Sequence, residues 1–245
     1  MNVRIISMQT SPEDTVAHAA MTCYGKTPKT DYDVKNAIRK CRESGHLSVF
    51  EHASFTFEIK GVSRALSHQL VRHRLASYSQ KSQRYVDEDG FGYVVPESIR
   101  KDEDLFVTYN MVMNNTRYYY RKLVDLGVPK EDARYILPNA CTTQLVMTMN
   151  ARELLHFFRL RCCNRAQWEI RELANKMLKL CKDSAPVLFE KAGAPCEYGE
   201  CPETEPCGKK PLPKKLESIA QLMRDNPKLL AGVKVALERL DDDEM

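Results

Sequence analysis

No stretch of about 18 consecutive apolar residues occurs, so no membrane-spanning segment and no membrane partner are expected. The apolar run within residues 1–6 is too short for a secretory leader and is followed by no small-residue cleavage site, which points to the cytoplasm. There is no internal repeat. There is also no glycine-rich phosphate loop and no regular βαβ alternation, which argues against a doubly wound nucleotide-binding sheet. The nine cysteines include no Cys-x-x-Cys pair. Cys196, Cys201 and Cys207 are separated by four and five intervening residues with no fourth ligand, so they read as thiols in an irregular loop rather than a zinc site. His46 and His52 flank Glu51 at a spacing wrong for helical ligation and without a third ligand, so no metal is expected. A net charge of +4 is too mild for a typical duplex-DNA binder and better suits anionic metabolites.

What is present fits a globular chain: 43% hydrophobic and 29% charged over 245 residues, enough for one well-cored domain. Residues 3–8 read as an opening strand. A helix capped by Asp31 or Asp33 runs to about Ser44 and is closed by Gly45. Residues 54–59 alternate, with Phe55, Phe57 and Ile59 on one face, and Gly61 is expected to break this strand. Ser63 then caps a helix over 64–74 with Ala65, Leu66 and Leu70 as its apolar stripe. A turn and short strand over 90–96, a long helix over 102–126 and a short helix over 130–137 follow. Residues 142–148 favour a strand, and 151–163 and 166–184 favour helices. The expected fold class is α+β: a mixed or antiparallel sheet flanked by long helices in a single domain over 1–195. Residues 196–245 read as a proline- and cysteine-containing arm, a helix over about 216–240 and a solvated acidic tail.

The most chemically loaded stretch is Arg72-His73-Arg74-Leu75-Ala76-Ser77-Tyr78-Ser79-Gln80-Lys81-Ser82-Gln83-Arg84. Guanidiniums and short hydroxyls are the groups that grip phosphate. On the expected helix, Gln69, Arg72 and His73 share a face at i, i+3 and i+4, and a loop then delivers Ser77, Gln80, Ser82 and Arg84. A helix C-terminus repels anions by its dipole, so the arginines must supply the attraction. A second cluster spans 150–161. Here Asn150 and Arg161 fall at the edge of an apolar stripe, while Arg152, His156 and Arg159 form a polar face. Two other chemistries fit parts of this pattern. Cys162 and Cys163 directly follow Arg161, which could activate a thiol as nucleophile. Arg72, Arg74, Lys81 and Arg84 with Tyr78 and Tyr85 could grip single-stranded nucleic acid.

Taken together, these clusters resemble the flavin-dependent thymidylate synthases. The family signature, Arg-His-Arg followed after seven residues by Ser, is matched by Arg72-His73-Arg74 and Ser82, continued by Arg84-Tyr85. Gly45-His46 and Phe50-Glu51-His52 precede it. Ala133-Arg134, Leu137-Pro138, Asn150-Ala151-Arg152, Leu160-Arg161 and Ala166-Gln167-Trp168-Glu169-Ile170 follow in order. The resemblance covers residues 1–195. It implies conversion of dUMP to dTMP with 5,10-methylenetetrahydrofolate as one-carbon donor, NADPH as reductant and FAD, as FADH⁻, supplying the hydride. It implies a homotetramer with shared active sites and no cysteine nucleophile. Carried over by position, Gln69, Arg72, Gln80, Ser82, Arg84, Arg134 and Arg161 would hold dUMP, with Arg161 favouring ionisation at N3 of the uracil. His46, Ser48, Arg72, His73, Arg74, Asn150, Arg152 and His156 would line the FAD site. The chain departs from the family pattern at Ser79 and Gln80, where Asn and Glu are frequent, and at His156, where some relatives carry Asn.

Overall fold

A computed structural model describes residues 1–208. They fall into two compact units, Met1–Ala194 and a second that begins at Pro195. Of the second unit, the described residues hold one 3₁₀ turn, Pro195–Glu197. The helix expected over 216–240 and the acidic tail lie outside the described residues.

The first unit opens with β1 (Asn2–Met8), α1 (Pro12–Thr22) and α2 (Asp31–Glu43). A 3₁₀ turn, Leu47–His52, leads into β2 (Ser54–Ser63), α3 (Arg64–Leu70) and β3 (Ala76–Gln80). One helical turn, α4 (Glu97–Arg100), precedes the long α5 (Glu103–Asp125) and the short α6 (Lys130–Ala133). A 3₁₀ turn, Arg134–Ile136, is followed by β4 (Thr142–Asn150), α7 (Ala151–Arg161) and α8 (Trp168–Ser184). The strands form a four-stranded sheet in the order β1-β2-β4-β3. Every pairing is antiparallel, which removes the mixed-sheet alternative.

The sheet has one apolar face because side chains alternate along each strand. Phe55 lies opposite Met149, Phe57 opposite Met147 and Ile59 opposite Leu145, all buried. Such facing apolar pairs are the unit of sheet stabilisation. Leu154, Phe157 and Phe158 of α7 and Ile170, Leu173 and Met177 of α8 complete this core. Phe189 seals it, with its ring centroid 5.4 Å from Phe55 and 6.0 Å from Phe158. A smaller cluster of Phe91, Met113 and Cys141 seats α5.

Several expectations are corrected. Gly61 does not break β2: at φ +69 it forms a bulge between Lys60 and Val62, and pairing with β4 resumes to Ser63. The helix expected over 64–74 stops at Leu70, and the first part of the expected loop after it is the edge strand β3. The strand expected near 90–96 is a single bridge, Tyr93 to Cys141. Helix α1 was not anticipated, although Ser11-Pro12-Glu13-Asp14 is a helix start with Pro at its first turn and two acids beside the dipole.

Candidate active site

Ser63 ends β2 and caps α3, its hydroxyl accepting from the Leu66 amide at 3.0 Å. Glu169, buried at the start of α8, accepts from both the Ser63 amide at 2.7 Å and the Ser63 hydroxyl at 2.5 Å. Sheet, α3 and α8 are thus tied at one point. Seven residues later α3 ends, and the chain reverses to begin β3. Tyr78 closes this turn from β3: its hydroxyl lies 2.9 Å from the Leu70 carbonyl and 2.8 Å from the His73 carbonyl, sharing its proton between them. The reversal changes where the signature residues point. His73 faces inward and is 6% exposed, whereas Arg72 and Arg74 face outward on either side. Gln69, Arg72 and His73 therefore do not share one helical face.

The His73 ring meets one stripe of α7. Asn150 caps that helix, its side-chain oxygen accepting from the Glu153 amide at 2.9 Å. The Arg161 Nε–H donates to His73 Nε2 at 3.0 Å, and Glu153 Oε1 lies 3.4 Å from His73 Nδ1. Phe157 meets the ring edge-on with centroids 5.0 Å apart, and the His156 ring lies 6.1 Å away. Burial, the Arg161 cation and His156 together hold the His73 pKa down at about 4, so the imidazole is neutral at physiological pH. Burial raises the pKa of Glu153, opposed by His156, and burial lowers that of Arg161.

A second group of candidates surrounds α6. Arg84 Nε pairs with Glu131 at 2.7 Å, and Arg134 Nε donates to the Glu131 carbonyl at 3.0 Å. The Ser82 hydroxyl accepts from the Arg84 amide at 3.2 Å. Arg134 lines a cleft of about 360 Å³ with Arg64, His68 and Gln83, and no carboxylate lines it. Gln80 points back into the fold and donates its amide hydrogens to Ser67 at 3.0 Å and Thr143 at 3.2 Å.

The structure thus brings His73, His156 and Arg161 together, and Arg84 with Arg134. Ser82 joins the second group through the Arg84 amide and Asn150 adjoins the first through Glu153, while Arg152, His46 and Ser48 stand apart. Arg152 is exposed and paired with Glu51. His46 is exposed on a cleft of about 470 Å³ between α1 and α2, and Ser48 is exposed on the 3₁₀ turn. Glu153 and Glu131 were missed in the sequence. Glu153, Phe157 and Arg161 recur every four residues, the signal that could have revealed the first. Tyr78, the expected stacking platform for nucleic acid, is half-buried, and its hydroxyl is engaged by the Leu70 and His73 carbonyls. Cys162 is buried, a poor place for a nucleophile. Among the described residues, no helix is long and apolar enough to cross a membrane.

A family model described as thymidylate synthase complementing protein matches residues 4–187. The flavin-dependent thymidylate synthase of Geobacter sulfurreducens is 51% identical over 219 residues, covering 85% of this chain and 94% of that protein. The protein of the same description from Clostridium tetani is 43% identical over 240 residues, covering 88% and 96%. That of Pyrococcus furiosus is 42% identical over 240 residues, covering 90% and 98%. The chain belongs to the flavin-dependent thymidylate synthase family. It is an enzyme of that family, and the matched segment contains both the His73–Arg161 cluster and the arginines around Glu131. The Pro195–Glu197 turn lies beyond the family model's match.

Proposed function

We propose the following division of labour for the conversion of dUMP to dTMP, with 5,10-methylenetetrahydrofolate as one-carbon donor and NADPH as reductant. The observation that carries it is the Arg161 guanidinium. It is half-buried and held through Nε by His73, and its terminal amino groups have no partner among the described residues. A fixed cation of this kind placed at the uracil edge lowers the cost of negative charge at N3, and it reorganises little as that charge develops. Arg72, Ser82, Arg84 and Arg134 take the phosphate, a task suited to guanidinium forks and a hydroxyl. Gln69 and Gln80 supply neutral hydrogen bonds. Gln80 commits its hydrogens to Ser67 and Thr143, which leaves its oxygen to accept from the nucleotide.

Bound FAD, once reduced, supplies the hydride. Its diphosphate fits Arg72 and Arg74, which are exposed and have no ion-pair partner among the described residues. His46, Ser48, Asn150, Arg152 and His156 complete the lining. Asn150 commits its side-chain oxygen to capping α7 and keeps its amide hydrogens to donate. His73 Nε2 accepts from Arg161 and its Nδ1 faces Glu153 inside the protomer, so its part is to fix Arg72 and Arg74 on either side of a buried anchor.

The working form is a homotetramer with sites shared between subunits, in the cytoplasm. Two features support the assembly. Helix α5 spans 23 residues but buries only Met113 and Tyr120, leaving Val107, Met111, Val112, Tyr118 and Tyr119 half or more exposed. The flavin candidates His46, Ser48, Arg72, Arg74 and Arg152 also lie on the protomer surface. The test is turnover of dUMP by Arg161→Ala beside Cys162→Ala and Cys163→Ala. Loss of dTMP in the first and its retention in the cysteine variants is the expected result. Activity in Arg161→Ala with loss in a cysteine variant would overturn the assignment.

A further inference from the structure

We infer that Glu153 is a positioning residue for Arg161, acting through the tautomer of the buried His73. The inference rests on the reading of Arg161 as the residue that meets the uracil. Both nitrogens of the His73 ring face α7. Nε2 accepts the Arg161 Nε–H at 3.0 Å, so it presents a lone pair, and the neutral ring then carries its proton on Nδ1. Nδ1 faces Glu153 Oε1 at 3.4 Å. The Glu153 side chain is 8% exposed and has no other hydrogen-bond or ion-pair partner among the described residues.

A carboxyl group is costly to bury without a task. The ring plane is already set by Phe157, edge-on at 82°, and the backbone by Tyr78 on the His73 carbonyl. What remains is to hold the proton on Nδ1 against the opposite tautomer. Glu153 favours this tautomer, because its carboxyl oxygen faces Nδ1 at 3.4 Å as an acceptor. With the opposite tautomer, Nε2–H would face the Arg161 Nε–H, donor against donor, and the guanidinium would lose its anchor. The groups facing His73 are Glu153, His156, Phe157 and Arg161 from α7 and Tyr78 from β3. None but Glu153 lies at Nδ1 as an acceptor.

The experiment uses the full chain loaded with FAD and two variants, Glu153→Gln and Glu153→Met. Selective ¹⁵N-histidine labelling reads the His73 tautomer, with the signal assigned by its loss in His73→Gln. The kcat for dTMP formation and the KM for dUMP are measured in parallel. Gln keeps an acceptor, so Nδ1–H and a kcat within about threefold of the parent are expected. Met keeps the volume but not the acceptor. A shift to Nε2–H and a kcat lowered at least about tenfold are expected there, by analogy with the loss when partners that orient metal-bound histidines are removed. Wild-type tautomer and turnover in Glu153→Met would assign the residue to packing and overturn the inference. So would a loss in Glu153→Gln as large as in Glu153→Met. An Nε2–H tautomer in the unmutated protein would overturn it whether or not the Met variant folds. The tautomer is read without turnover, so an unmutated protein that makes no dTMP would instead count against the synthase reading.

Discussion

Removing the Glu169 carboxyl should loosen the start of α3 and weaken nucleotide binding from a distance. Glu169 is 3% exposed and accepts two hydrogen bonds from Ser63, from the amide at 2.7 Å and the hydroxyl at 2.5 Å. The same hydroxyl caps α3, which carries Gln69 and leads into Arg72. Removing the carboxyl leaves the buried Ser63 amide and hydroxyl without their acceptor, at about 1–3 kcal/mol for each. Glu169→Ala should therefore cost roughly 2–6 kcal/mol. Glu169→Gln keeps one acceptor oxygen, and the hydroxyl can rotate to accept from the new amide, so it should cost only about 1–2 kcal/mol. Urea unfolding at fixed protomer concentration gives both values, since assembly makes apparent stability concentration-dependent. The KM for dUMP should rise in the Ala variant before kcat falls, because Gln69 and Arg72 bind the nucleotide in this account. An Ala variant within about 1 kcal/mol of the parent, or one costing no more than Gln, would refute the reasoning.

Three other outcomes follow from the same geometry. The His73 pKa lies near 4 when folded and 6.5 unfolded, so the unfolded chain binds the extra proton first. Stability should fall as the pH drops through this window, by up to roughly 3 kcal/mol from this group, while the buried Glu153 works in the opposite direction. Urea midpoints measured across the window should flatten in His73→Gln; an unchanged slope would show that His73 is not the titrating group. Tyr78→Phe deletes the hydroxyl that holds the Leu70 and His73 carbonyls and should cost about 1–2 kcal/mol in thermal unfolding; no change in Tm would mean the turn stands without it. Glu131→Gln breaks the exposed pair with Arg84, where both side chains are about half exposed, so stability should shift by less than about 1 kcal/mol. A larger loss would show that the pair is structural rather than a holding contact for a phosphate-binding arginine.

Much of the fold was legible because its signals are local and periodic. The alternation of Phe55, Phe57 and Ile59 marked the central strand, and Ser63 and Asp102 marked helix starts that their side chains do cap. The errors arose where tertiary contacts outweigh local pattern. Residues 71–74 have helical composition, yet pairing of β3 with β4 and the Tyr78 hydroxyl turn the chain there. Gly61 reads as a stop in isolation, but β4 carries the pairing past it. The Arg-His-Arg motif was visible, while its out-in-out disposition was not, because only the α7 stripe makes an inward histidine favourable. Glu131 could not be assigned, since its partner Arg84 is distant in sequence and joined to it only by the fold.

Anaerobic mixing of the protein with FAD, NADPH, dUMP and 5,10-methylenetetrahydrofolate, with flavin absorbance followed and the product analysed, tests the synthase activity itself. Protein-dependent bleaching by NADPH that responds to dUMP is expected, then dTMP formation when the folate is present. Failure to bind or reduce FAD with or without dUMP, or dTMP formed at the same rate without flavin, would contradict that activity.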